Sequence, residues 1–209
     1  MSNFSLQLPV NSTSLGQTST SFLYEIFKKG LEPNVFPIGE IDLSSFNGLL
    51  SEEFNLWLKS CIQKAFASYS RNDPSLRLWH ISGSHEVVSN NPFLYFFHEL
   101  DSMTPTEVNI LNSFKKTMSP CDFTKSNAED YGVNNVETVN LGYNNLAFKP
   151  VDVPKYKGLP TVIALAGKFE KRKRTEKMIN ILAEKYGGKQ NYKIHLHTYN
   201  PFYSQDQNR

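Results

Sequence analysis

The sequence predicts an α/β fold built from parallel β-α-β units. Three observations carry this reading. Short apolar runs alternate along the chain with stretches whose apolar residues recur at helical spacing. Helix-start and helix-stop residues punctuate that alternation, as in Thr104-Pro105-Thr106-Glu107 at one start and Lys28-Lys29-Gly30 at one end. Hydrophobic residues make up 39% of the 209 positions and aromatics 13%, the composition of a folded globular chain rather than a disordered one.

The elements follow in order. Phe4-Ser5-Leu6-Gln7-Leu8-Pro9 alternates apolar and polar and reads as a first strand. Val10 to Thr20, rich in Ser, Thr and Asn, reads as a loop that ends in helix N-caps. Phe22, Leu23, Ile26 and Phe27 then fall at helical spacing, and Val35 to Ile38 is a short second strand. Phe54, Trp57, Leu58, Cys61, Ile62, Ala65 and Phe66 form a helical stripe, which makes Cys61 a core thiol. Leu76 to Ile81 reads as a strand, and Pro92 to His98 as a strand buried on both faces. A helix starts at Thr104 and continues through Val108, Leu111 and Phe114. Phe123 to Tyr131 is a short helix stopped by Gly132, and Val136 to Leu141 a strand turned by Gly142. After the proline-punctuated stretch Lys149 to Pro160 come a strand at Thr161 to Ala166, a helix over 172–186 stopped by Gly187-Gly188, and a strand at Tyr192 to Thr198. The chain therefore divides into residues 1–150, a linker at 151–160, and a second unit at 161–209.

Charge is uneven. Residues 1–150 hold 10 Lys and Arg against 15 Asp and Glu, whereas residues 151–209 hold 12 against 5. A basic segment after an acidic one points to an anionic partner for the second unit. No apolar run approaches the length of a membrane span, and Met1 to Val10 lacks the pattern of a signal peptide. Two cysteines, Cys61 and Cys121, provide no disulfide framework. The expectation is a cytoplasmic protein without a transmembrane segment.

The basic cluster is concentrated in Gly167-Lys168-Phe169-Glu170-Lys171-Arg172-Lys173-Arg174, between an apolar strand and a helix. A strand end, a glycine and cations opening a helix suit a phosphate, because a helix N-terminus presents unpaired N–H groups and positive dipole.

In this order the segments resemble a GT-B glycosyltransferase of the family-4 type found in bacteria, phages and large viruses. Leu8 to Gly16 looks like that family's first loop, and Phe96-Phe97-His98-Glu99-Leu100-Asp101 like its cleft-lining strand and loop. Cys121 to Val133 resembles its Ser-x-Phe…Gly-Val segment. Val139-Asn140-Leu141-Gly142-Tyr143-Asn144 with Phe148-Lys149-Pro150 resembles Val-Pro-Leu-Gly-Val-Asp…Phe-x-Pro, and Gly167 to Lys173 the opening of the donor domain. Two positions depart from the pattern: Lys168 stands where the family has Arg, and Cys121 where serine is usual.

The resemblance implies a Rossmann-like N-terminal domain plus the first β-α-β of a second Rossmann-like domain. It implies transfer of a sugar, with retention, from a nucleotide-sugar donor to an acceptor that is a glycan, lipid or protein. Lys168 and Lys173 would bind the donor diphosphate and Gly16 would let the backbone approach it. Asn11, Ser12 and Thr13 would face the acceptor, and His80 and Glu99 would be the catalytic residues, in contact with sugar. No cofactor and no metal are expected, since lysines take the metal's place at the phosphates. His195 and His197 share one strand face but lack an acidic or thiol partner. The family's paired-glutamate motif and further βα units are not found in residues 161–209, so the sequence reads as a fragment. The competing readings are an inactive fragment or a basic phosphate- or nucleic-acid-binding module. No aromatic stacking pattern accompanies the basic run, so nucleic acid is not the expected partner.

Overall fold

The computed structural model describes residues 3–150 and 160–198, together with Ser204 and Asp206. Residues 151–159, most of the expected linker, lie outside them. The chain forms two compact units, Met1–Lys149 and Pro150–Arg209.

The first unit is α/β, with one six-stranded sheet. Its strands are β1 (Ser5–Leu8), β2 (Asn34–Pro37), β3 (Pro74–His80), β4 (Asn91–Phe97), β5 (Lys116–Ser119) and β6 (Val136–Thr138). They lie in the order β2-β1-β3-β4-β5-β6, and every neighbouring pair is parallel. The helices are α1 (Ser14–Lys28), α2 (Glu52–Ser68), α3 (Pro105–Asn112) and α4 (Asp122–Asp130). This architecture is compatible with a Rossmann-like fold. The connection out of β1 leads to one side and that into β3 to the other, so strand order reverses at the β1/β3 boundary. In open parallel sheets the crevice beyond the carboxyl ends of such strands is where ligands bind.

Side-chain alternation sorts the core into two layers. Along β4, Tyr95 and Phe97 join one apolar cluster while Leu94 and Phe96 join the other. The first cluster unites Leu6, Leu8, Val35 and Leu78 of the sheet with Leu23 and Ile26 of α1 and Phe54, Leu58 and Cys61 of α2. Phe27 meets Phe54 and Trp57 there at ring-centroid distances of 5.6 and 5.5 Å. The second cluster unites Leu94 and Phe96 with Leu111, Phe114, Ala128 and Val133. Burial of one such Phe or Leu contributes about 1.5–3 kcal/mol.

Four local expectations are corrected. Residues 14–20 are not loop but the first two turns of α1. Their hydroxyls do not break the helix because each donates to the carbonyl four residues back: Thr18 to Ser14, Ser19 to Leu15, Thr20 to Gly16 and Ser21 to Gln17. Phe66 leaves the α2 core stripe and is 81% exposed. Strand β5 has no counterpart in the sequence reading. Strand β6 stops at Thr138, so Val139 to Leu141 leave the sheet.

The remaining elements of the first unit fall within two residues of the sequence reading, α3 ending at Asn112 rather than running through Phe114. Thr104 and Glu107 form a reciprocal capping box at α3, and Gly132 ends the segment after α4 with φ 91°. The β3–β4 connection, residues 81–90, has no helix. The buried Arg77 guanidinium holds it, donating to the Gly83 and Glu86 carbonyls, and Gln7 also donates to the Glu86 carbonyl.

The second unit pairs β7 (Thr161–Gly167) in parallel with β8 (Tyr192–Thr198). Between them lie a 3-10 turn at Lys171–Lys173 and α5 (Thr175–Tyr186). The expected helix over 172–186 is thus split, with Arg174 left-handed (φ 55°) at the joint. None of the described residues of this unit is buried; Val162, Met178, Ile181 and Leu196 stay 43–51% exposed.

Candidate functional site

The loop after β1 is organised by its own polar side chains. Asn11 Oδ1 accepts from the Thr13 N–H at 3.1 Å and the Thr13 hydroxyl at 2.6 Å, an Asx turn. Thr13 Oγ1 caps α1 by accepting from Gly16 N. Gln17 Nε2 donates to the Ser12 carbonyl at 3.0 Å. Beside the loop, Asp42 is held below the usual carboxylate range by hydrogen bonds from Ser44 and Ser12. Asn11, Ser12 and Thr13 therefore crown the carboxyl end of β1, with Ser12 and Thr13 exposed. Gly16 is buried in the first turn of α1. The close approach it permits is to Asn11: a β-carbon there would stand 2.2 Å from the Asn11 carbonyl oxygen.

His80 ends β3, the strand beside β1, so it stands on the other side of the same crevice. Its ring is exposed and packs edge-on to Trp79 at 5.4 Å, and its carbonyl accepts from the Ser84 hydroxyl. Glu99 is exposed in the loop after β4, one strand further out. In that loop a His98 ring nitrogen lies 2.9 Å from the Ser102 carbonyl oxygen. The first two turns of α4 are tied to it: Thr124 Oγ1 donates to the His98 carbonyl at 3.3 Å, and Asn127 Nδ2 to the Leu100 carbonyl at 3.1 Å. Cys121 is the N-cap residue of α4, with its sulfur 3.4 Å from Thr124 Oγ1. Hydrogen bonding by Thr124 pulls its thiol pKa down.

No protein-family model matches this chain. A search among curated proteins finds no similar sequence either. The chemistry of the crevice and of the basic turn therefore has to be read from their own residues.

In the second unit Lys168 and Lys173 lie on one strand-to-helix turn. Glu170 is its counter-charge, 3.7 Å from Lys168 Nζ and 3.0 Å from an Arg172 guanidinium nitrogen. One carboxylate against five cations leaves the turn strongly positive. His195 and His197 face each other along β8 with ring centroids 6.3 Å apart. Among the described residues no group of three or more His, Cys, Asp or Glu could hold a metal ion, and no helix is long and apolar enough to cross a membrane.

One site escaped the sequence reading. A cavity of about 1020 Å³ lies on the first-cluster face of the large sheet. Leu76, Leu78, Tyr95 and Met118 form its floor, α1 one wall, and residues 139–148 the other. The available signal was the spacing of Ser14, Gln17, Thr18, Ser21, Glu25 and Lys28, which puts one polar stripe along α1.

Proposed function

We propose that this chain is a glycosyltransferase of the GT-B type, or the part of one that spans the acceptor domain and the start of the donor domain. The second unit takes the diphosphate of a nucleotide sugar: Lys168 and Lys173 neutralise it and stabilise the leaving group as negative charge develops. The first unit takes the acceptor at Asn11, Ser12 and Thr13. His80 hydrogen-bonds a sugar hydroxyl, and Glu99 orients the acceptor or binds a second hydroxyl. Transfer proceeds with retention and without a metal ion.

The observation that carries this reading is the occurrence in one chain of two parallel β-α-β systems with complementary chemistry. One is a six-stranded sheet whose switch point is crowned by Asn11–Thr13 and His80. The other opens its helix on a five-cation turn.

Equilibrium titration with UDP and GDP at low salt, alongside an assay for sugar release from UDP-glucose and GDP-mannose, tests it. Wild type should bind one of the two nucleotides saturably. Lys173→Ala should weaken that binding by about tenfold or more, since a charged hydrogen bond contributes roughly 1.5–3 kcal/mol. Absence of binding in wild type, or equal affinity in Lys173→Ala, refutes the proposal.

A further inference from the structure

We propose that the cavity on the face of the large sheet binds a small amphiphile, with its hydrocarbon body on the β3–β5 floor and an uncharged polar end against α1. A parallel sheet is ordinarily covered on both faces by its crossover helices. Here α3 and α4 contribute to the opposite layer, through Leu111 and Ala128, and α1 only flanks the floor. The cover over Leu78, Tyr95 and Met118 is the non-helical segment 139–148. Four hydrogen bonds fasten it: Tyr95 donates from its hydroxyl to the Val139 carbonyl at 2.7 Å, Asn144 Nδ2 to Ser21 Oγ at 3.0 Å, Asn140 Nδ2 to the Pro120 carbonyl at 3.1 Å, and the Val139 N–H to the Ser119 carbonyl at 2.8 Å. The space beneath is at the upper end of small-molecule pockets, which run to roughly 300–1,000 Å³.

The lining selects the ligand. The floor is aliphatic, aromatic and thioether, and its one hydroxyl, on Tyr95, is taken by the Val139 carbonyl, so it favours hydrocarbon. The rim adds Leu141, Tyr143 and Phe148, which are 48, 80 and 69% exposed. The α1 wall presents the Thr18 and Ser21 hydroxyls and the Gln17 amide. Its two charges cancel, Lys28 Nζ lying 2.9 Å from Glu25 Oε1. A wall of hydroxyls, amide and a closed ion pair carries no net field to attract an ionised head group. The Thr18 and Ser21 hydroxyl protons are taken by the Ser14 and Gln17 carbonyls, so the wall offers acceptor oxygens to a ligand's hydroxyls, and a monoacylglycerol or a long-chain alcohol fits where a fatty-acid anion does not.

The test needs neither nucleotide binding nor a transfer reaction. The neutral fluorophore 1-N-phenylnaphthylamine is titrated into the full chain and displaced with monododecanoylglycerol or with dodecanoate, both below their aggregation limits. The expected result is saturable uptake at one site, with the neutral lipid at least tenfold more effective than the anion. Thr18→Phe and Ser21→Phe, half-buried on the cavity wall of α1, should each lower probe affinity at least tenfold with an unchanged far-ultraviolet circular dichroism spectrum. No saturable uptake by wild type, equal uptake by both folded variants, or equal displacement by dodecanoate overturns the proposal.

Discussion

Replacing Gly16 with Ala pits helix propensity against local geometry. Propensity alone favours Ala over Gly by up to about 1 kcal/mol within a helix. The structure reverses that sign. The new methyl would lie 2.2 Å from the Asn11 carbonyl oxygen, 2.3 Å from Asn11 Oδ1 and 2.5 Å from Asn11 N. Two of these are backbone atoms, so no rotamer change relieves the clash. Moving the loop costs about 1–3 kcal/mol, as overpacking does elsewhere. It also breaks the Asx turn that orients Thr13, whose cap contributes about 1 kcal/mol. After subtracting the propensity gain, the net destabilisation is roughly 1–3 kcal/mol. For a unit of this size that lowers the melting temperature by roughly 2–12 °C. Thermal unfolding followed by far-ultraviolet circular dichroism measures it. Asn11→Ala in the Gly16→Ala background removes only the side-chain contact, so it should not restore stability. A Gly16→Ala protein that melts at or above wild type refutes the packing argument, and recovery in the double variant refutes its backbone origin.

Other outcomes follow from the same geometry. Near neutral pH, iodoacetamide should alkylate Cys121 well before Cys61. The Cys121 thiol is lowered by Thr124, whereas burial pushes Cys61 up to about 11; equal labelling by peptide mass spectrometry would contradict this, and Thr124→Val should slow Cys121. Thr104→Ala should cost about 1 kcal/mol in urea unfolding near neutral pH. Thr104 holds the Glu107 carboxyl below its ordinary value of 4.5. A depressed carboxyl stabilises the fold above that value and loses its contribution as pH falls through the folded pKa; the Thr104 N–H, the main cause, survives in Thr104→Ala, so only the smaller share owed to the hydroxyl should fade in acid. Arg77→Met should cost about 1–3 kcal/mol by removing two guanidinium hydrogen bonds, at roughly 0.5–1.5 kcal/mol each, since the Glu86 carbonyl keeps Gln7 and the Gly83 carbonyl keeps the Glu86 N–H as donors. Phe54→Ala should cost about 3–5 kcal/mol, because Phe54 is fully buried between α1 and the sheet; a loss below 1 kcal/mol in chemical denaturation would contradict that placement.

Where apolar periodicity or a cap carried the signal, the sequence located the element. The α3 capping box, the α2 stripe up to Ala65 and the β4 run are of this kind. Where hydroxyls do the packing, it did not. Strand β5 buries Thr117 and Ser119 completely, so its inward face reads as polar. Its only cue was position, since a parallel sheet requires a strand between α3 and α4. The start of α1 was hidden for the same reason, its hydroxyls being satisfied within the helix. The edge residues Asn11, Ser12, Thr13 and His80 were legible because strand ends punctuate the sequence. The cavity was not, because its floor comes from three separate strands and its cover from a segment whose sequence suggested that β6 continued.

The position of β1 bears on how the first unit is assembled. It is the earliest strand made, yet it is paired on both edges, with Asn34 opposite Ser5 on one side and Ser75 on the other. Neither partner is local, so both pairings close long loops before they gain contact energy. During synthesis β1 can join β2 soon after Pro37 emerges, but its other edge stays open until β3 is made. An unsatisfied edge bearing Leu6 and Leu8 is a template for pairing with other chains. Slow translation through residues 38–73 should therefore increase aggregation of the nascent protein more than the same delay placed after β6, when every strand of the sheet has been made.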